Sequence, residues 1–314
     1  MSELLLEPAD DIMEEIEEKI EKEIEEAIST KGEHTVDNSW HVLRQYTAAR
    51  IGLGRAGISV PTKHLLDFQL AHAQAQDAVH LPLDSEQLVT DIETQRESSN
   101  AIPMQTLIVH SQVNDRSHYL QRPDLGRRLS TDSAKLLKQS TAPSDDPYDL
   151  AIVIVDGLSS FAIQKNAAPL LQILTQRLAQ QSLLKDKEGI FRLAPIVIVQ
   201  QGRVAIGDEV GELLNAKSVL VFIGERPGLS SPDSLGLYLT WAPKVGLTDE
   251  SRNCISNVRP QGLVYQEAVN KVFYLLSEAH QRKLTGINLK ERSQDDNSLL
   301  PGGDIQSDKN FLLS

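Results

Sequence analysis

The stretch IGLGRAG, residues 51–57, places glycines at positions 52, 54 and 57, the G-x-G-x-x-G spacing of a dinucleotide-binding turn. That chemistry needs a buried strand before the first glycine and a helix after the last, so that a pyrophosphate meets the helix N-terminus. The preceding residues, WHVLRQYTAAR, have helical spacing and carry arginine and alanine where a buried strand would carry valine and isoleucine. Asp77 lies 20 residues past Gly57, the separation of a ribose partner, but it sits in the helical AHAQAQDAV. The glycines therefore read as the end of one helix and a turn into the next, and not as an NAD site.

A second group of chemistry-bearing residues follows short β-branched runs. DGLSS (156–160) comes after LAIVIV, QGRVAI (201–206) after APIVIVQ, and GERPG (224–228) after SVLVFI. SRNCISN (251–257) is read as a downstream loop that reaches the same edge. Each segment is small or glycine-containing, so its backbone can approach a ligand closely. Each also offers a polar group: Asp156, Ser159, Arg203, Glu225, Arg226, Cys254 and Ser256. Ordinary turns use the same residue types, and composition does not name a ligand.

What is missing narrows the chemistry. Histidines stand at 34, 41, 64, 72, 80, 110, 118 and 280, so none falls between 119 and 279. With Cys254 the only cysteine, that stretch holds no zinc or iron ligand set and no Ser-His-Asp triad. No G-x-x-x-x-G-K-[ST] run is present, which removes the P-loop. His64 and His72 fall on an expected helix, where a solvated or packed histidine is the simpler reading.

The elements that position these loops fall into four pieces. In residues 10–28 an isoleucine recurs at 12, 16, 20, 24 and 28, one apolar stripe on an otherwise acidic helix. Residues 40–147 read as helical, with Pro61 near one helix start and Asp124 as the N-cap of a helix running through Leu136 and Leu137. From 148 to 290, apolar runs at 150–155, 194–200, 218–224 and 236–242 alternate with helical segments, the last around 267–283. Such alternation implies an α/β fold: a Rossmann-like, doubly wound, mostly parallel sheet preceded by a helical N-terminal region. Ligands of such sheets bind beyond the carboxyl ends of the strands, where these loops lie. Residues 291–314 read as a mobile polar tail.

The net charge of −13 is local: residues 1–30 carry 12 acids and 2 lysines. The body is nearly neutral, so no basic field for nucleic acid is expected. A single cysteine, no apolar run near the ~20 residues of a membrane span and an acidic N-terminus point to a cytoplasmic protein.

RIGLGRAG, YLQRPDLGRRL, VDGLSS, GRVAIGDEVGELL, VFIGERPGL, CISN and TGIN occur in that order. Together they resemble the small (light) subunit of adenosylcobalamin-dependent ethanolamine ammonia-lyase, over about residues 40–290. The resemblance implies a carbon–nitrogen lyase that converts ethanolamine to acetaldehyde and ammonia. A large TIM-barrel subunit would hold substrate and radical chemistry, while this chain closes over adenosylcobalamin and has no catalytic side chain or metal ligand of its own. Its implied cofactor contacts are Val204, Glu225 and Cys254, and its implied assembly is a hetero-oligomer with six copies of each chain. The resemblance divides the chain into an acidic helix and linker (1–39), a helical region contacting the large subunit (40–147), a cobalamin-binding domain (148–290) and a tail (291–314). Arg122, Arg127 and Arg128 could bind a phosphate, but an interface with the large subunit or simple helix pairing is the preferred reading. The N-terminal stripe suits packing into a bacterial microcompartment, as in related enzymes, and equally a helix docked on its own oligomer or left solvated. The alternative to turnover is a cobalamin-binding or assembly protein.

Overall fold

The computed structural model describes residues 35–97, 105–140, 146–180 and 191–289. The acidic stripe at 12–28 and the tail from 291 lie outside these residues. The chain divides into two compact units, one ending at Asp77 and including Gly228–Ser231, the other holding Ala78–Pro227 and Pro232 onward.

In the first unit β1 (Thr35–Val36) pairs antiparallel with β2 (Arg55–Ala56). Between them the helix expected over WHVLRQYTAARI is reduced to a 3-10 segment, Ser39–Gln45, capped by the Asn38 side chain on the Trp40 N–H at 2.9 Å. The reading of the glycine motif as a helix end is corrected accordingly. Gly52 and Gly54 have φ of +57° and +70°, and a Cβ on either would fall 2.5 Å from backbone atoms of His41 or Val36. They let the chain fold back against its own 3-10 segment and β1, and the flanking β2 is two residues long. Helix α1 (Thr62–His80) follows Pro61 as expected. Its Leu65, Leu66, Phe68 and Leu70 are 47, 58, 42 and 60% exposed, a run of large apolar side chains with little cover among the described residues.

The second unit is built on a six-stranded mixed sheet. Its strands are β3 (Thr106–His110), β4 (Tyr148–Val155), β5 (Ile196–Gln200), β6 (Ala216–Gly224), β7 (Leu235–Trp241) and β8 (Arg252–Val258), in the order β3-β5-β4-β6-β7-β8. The first four are parallel, whereas β7 and β8 run antiparallel. Three expectations are corrected here. The region 40–147 is not all helical, because TLIVH pairs with β5 at the sheet edge. SRNCISN is strand β8 and not a loop. The sheet is parallel over four strands only, since β6, β7 and β8 turn back on one another without crossover helices.

Helices cover both faces. On one face Leu150, Ile152 and Ile154 of β4 meet α2 (Ser85–Glu97), α5 (Ser160–Gln180) and α7 (Tyr265–Arg282). On the other, Ala151, Val153 and Val155 meet α4 (Thr131–Ser140) and α6 (Ile206–Leu213). A short helix α3 (Arg116–Gln121) precedes α4. Helix starts follow local chemistry: the side chains of Asp84, Asp115, Ser130 and Ser159 each accept an N–H from the third residue of the helix they precede. Ser130 thus caps α4 in place of Asp124, which pairs instead with Arg122 at 2.7 Å.

Because β4 is buried on both faces, adjacent positions contribute to different cores. Ile154→Ala should lower the unfolding free energy by about 2–5 kcal/mol. Val153→Ala should also destabilise, by less. Denaturant unfolding of both variants checks this; a neutral effect at either position contradicts two-sided burial.

Candidate functional site

The chain leaves β4 toward α5 on one face and leaves β5 toward α6 on the other, so the loops beyond these adjacent strands diverge. Such a divergence at the carboxyl edge opens a crevice suited to a ligand. A cleft of about 1320 Å³ lies there, larger than the roughly 300–1,000 Å³ that holds drug-sized ligands. Gly157 and Leu158 line it from β4, Arg203 and Val204 from β5, and Glu225 and Arg226 from β6.

Beneath the cleft one carboxylate fixes the divergence. Asp156 has no solvent exposure and accepts the N–H groups of Gln201 at 2.8 Å and Gly202 at 3.0 Å. Arg116 stands 3.6 Å from the same carboxylate and donates to the Gly157 carbonyl at 2.9 Å. Burial pushes the Asp156 carboxyl up, against the opposing pull of Arg116 and the two N–H groups. Gly157, at φ +60°, lets this loop pass over the end of β6: a Cβ there would meet the Gly224 carbonyl at 2.3 Å. Ser159 is likewise internal, donating to the Pro232 carbonyl at 2.8 Å while capping α5. Asp156 and Ser159, expected as ligand-facing groups, are parts of the frame.

The next residues along β5's loop face the cleft. The Arg203 N–H is fastened to the Gly126 carbonyl at 2.7 Å, and its guanidinium lies 4.4 Å from the Tyr119 ring centroid. Tyr119 is itself buried and donates to the Gly202 carbonyl at 2.8 Å. The Val204 carbonyl accepts from Gly207 at 3.1 Å, whereas its N–H has no partner among the described residues. That leaves one backbone donor at the cleft wall.

Across the cleft Glu225 is held by three donors. Ser256 Oγ reaches Oε1 at 2.6 Å, the Asn257 N–H reaches Oε2 at 3.2 Å, and Ser234 Oγ donates to Oε2 as well. The carboxylate is thereby oriented, with lone-pair capacity left for a further donor. Cys254 is the register partner of Tyr238 across β7 and β8, and the Tyr238 ring lines the cleft. Although Cys254 reaches the surface, burial of its sulfur, with Glu225 nearby, holds the thiol above its ordinary value despite a hydrogen bond with Tyr238. Its thiol is therefore not activated as a thiolate.

Of the sequence-predicted residues, Arg203, Val204, Glu225, Arg226 and Ser256 line one cleft, and Cys254 stands beside it. Sequence reasoning missed Tyr238 and the segment 245–249, which also line it, as do Arg127 and Arg128. The Pro-Lys-Val-Gly composition at 243–246 was an available turn signal for the last of these. Arg122 and Arg128 are engaged by carboxylates, with Arg128 bidentate to Glu209 at 3.0 and 3.1 Å.

A family model described as ethanolamine ammonia-lyase light chain (EutC) matches residues 37–290. The chain is 50% identical over 280 residues to the ethanolamine ammonia-lyase small subunit of Pseudomonas paraeruginosa, covering 89% of this chain and 96% of that one. It is 52% identical over 279 residues to the small subunit of Xanthomonas campestris pv. campestris, covering 88% and 96%. Against the small subunit of Ralstonia nicotianae the identity is 50% over 276 residues, covering 88% and 94%.

Removing the buried clamp leaves two N–H groups and a guanidinium unmatched, so Asp156→Ala should cost roughly 3 kcal/mol or more in thermal or denaturant unfolding. Alkylation of Cys254 at neutral pH should be slower than that of a free cysteine and should climb as pH rises. A fast rate at pH 7, read by mass spectrometry, contradicts the raised thiol.

Proposed function

This chain belongs to the ethanolamine ammonia-lyase light-chain family, and from that membership we propose that it is the small subunit of the adenosylcobalamin-dependent enzyme. In this reading it works beside a large subunit, and the two chains convert ethanolamine to acetaldehyde and ammonia. When bound, the cofactor would supply radical chemistry through its cobalt–carbon bond, and this chain's residues would hold and orient it. The role of the small subunit is to receive, orient and enclose part of that cofactor.

The observation that carries the reading is the cleft at the carboxyl edge, with Val204 and Glu225 on its walls. Its residues fit a large amide-rimmed macrocycle. The unpartnered Val204 N–H suits an amide carbonyl, and the oriented Glu225 carboxylate suits an amide NH₂. Cys254 and Tyr238 add a small contact surface beside Glu225. In this reading 148–290 form the cobalamin-binding domain and 40–147 supply contacts to the large subunit. The exposed Leu65, Leu66, Phe68 and Leu70 of α1 support the second assignment, because exposed apolar runs of this kind mark protein interfaces.

Co-expression with a matching large subunit should yield acetaldehyde release that requires both chains and adenosylcobalamin. Glu225→Ala and Val204→Pro should each weaken cofactor binding and lower the activity of the complex. Unchanged affinity and activity in both variants would remove the site assignment. Assembly of the two chains without turnover would favour a cobalamin-binding or assembly role instead.

A further inference from the structure

Charge in the cleft is not balanced among the described residues. Of its acidic residues, Asp124 is paired with Arg122 and Asp249 with Arg252, which leaves Glu225. Arg127, Arg203 and Arg226 line the same cleft and have no carboxylate partner among the described residues. Corrin amides are neutral and do not require such an excess of positive charge. An anion does.

Arg203 is the arginine built most firmly into the wall. Its backbone N–H is tied to Gly126, next to Arg127, and its guanidinium stacks on Tyr119. Its Nε is buried without a hydrogen-bond partner. Tyr119 is fully buried, carries Arg116 over its ring at 4.8 Å, and is anchored through its hydroxyl to Gly202. A buried guanidinium nitrogen without an acceptor is costly, and a stacked side chain has little rotamer freedom left to lose on binding. Both features describe a cation prepared for an anionic group.

We propose that Arg203, with Arg127 beside it, forms the anion subsite of the cleft and pairs with the phosphodiester of the cofactor's nucleotide loop. This inference rests on the cobalamin reading above, because that phosphodiester is the cofactor's anionic group. Arg203 acts here as a binding and positioning residue.

The test uses the complex of large and small subunits, with binding read spectroscopically and not through turnover. Wild type, Arg203→Gln and Arg203→Lys are titrated with adenosylcobalamin and with adenosylcobinamide, which keeps the corrin and its amides but lacks the nucleotide loop and its phosphate. Thermal melting and subunit assembly establish that each variant is folded. Arg203→Gln should weaken adenosylcobalamin binding about tenfold or more while changing adenosylcobinamide binding by less than about twofold. Arg203→Lys should restore part of the loss, and the salt dependence of cobalamin binding should flatten in Arg203→Gln. Equal losses for both corrinoids would overturn the proposal and assign Arg203 to the shape of the wall. No loss for either would overturn it in favour of a carboxylate from the large subunit. A wild-type complex that takes up neither corrinoid would instead bring down the cobalamin reading itself.

Discussion

The site depends on one carboxylate placed where water does not reach. Asp156 holds the N–H groups of Gln201 and Gly202, so the turn beyond β5 is fixed by a residue at the end of β4. The next two residues are Arg203 and Val204, and their presentation to the cleft follows from that clamp. Burying an ionisable group is expensive, and burial indeed pushes this one up. Arg116 and the two N–H groups offset the cost, and Arg116 also fastens the Gly157 carbonyl and the Val79 carbonyl at 2.7 Å. Loops that diverge onto opposite faces are thus locked at their roots while their tips remain open to a ligand.

The antiparallel end of the sheet completes the site in a way that a parallel sheet does not. A parallel strand presents only its carboxyl end to the edge. Here β7 begins at that edge and β8 ends there, which brings Ser234, Ser256 and Asn257 onto Glu225. The glutamate that follows β6 is oriented from two further strands, although each of those strands belongs to a simple hairpin succession.

Much of this was legible in the residues. The runs LAIVIV, IVIVQ and SVLVFIG are buried on both faces and carry no alternation, so their apolar continuity identified them as central strands. The loops after them were identified with them, and with the loops Arg203, Val204, Glu225 and Arg226. β8 was missed because it is an edge strand: Asn253, Cys254, Ser256 and Asn257 are not buried, and Ile255 and Val258 alone give too short an apolar signal. β3 was missed for a related reason, being five residues of TLIVH set among helical segments, with Ile108 37% exposed. Asp156 and Ser159 were correctly found at the sheet edge but misassigned, since type and spacing do not tell a residue facing the ligand from one bracing the loop below. Burial and hydrogen-bond direction make that distinction.

The bare helix α1 carries a consequence for how the protein is made. Four large apolar side chains left in water on one helix are complementary to any similar surface, including that of an identical neighbour. Self-association of this sort rises with concentration and recedes when another chain covers the helix first. A cell that makes this chain in excess accumulates molecules whose nearest sticky surface is one another. How much of the chain stays dispersed then depends on its own concentration as well as on the stability of the sheet.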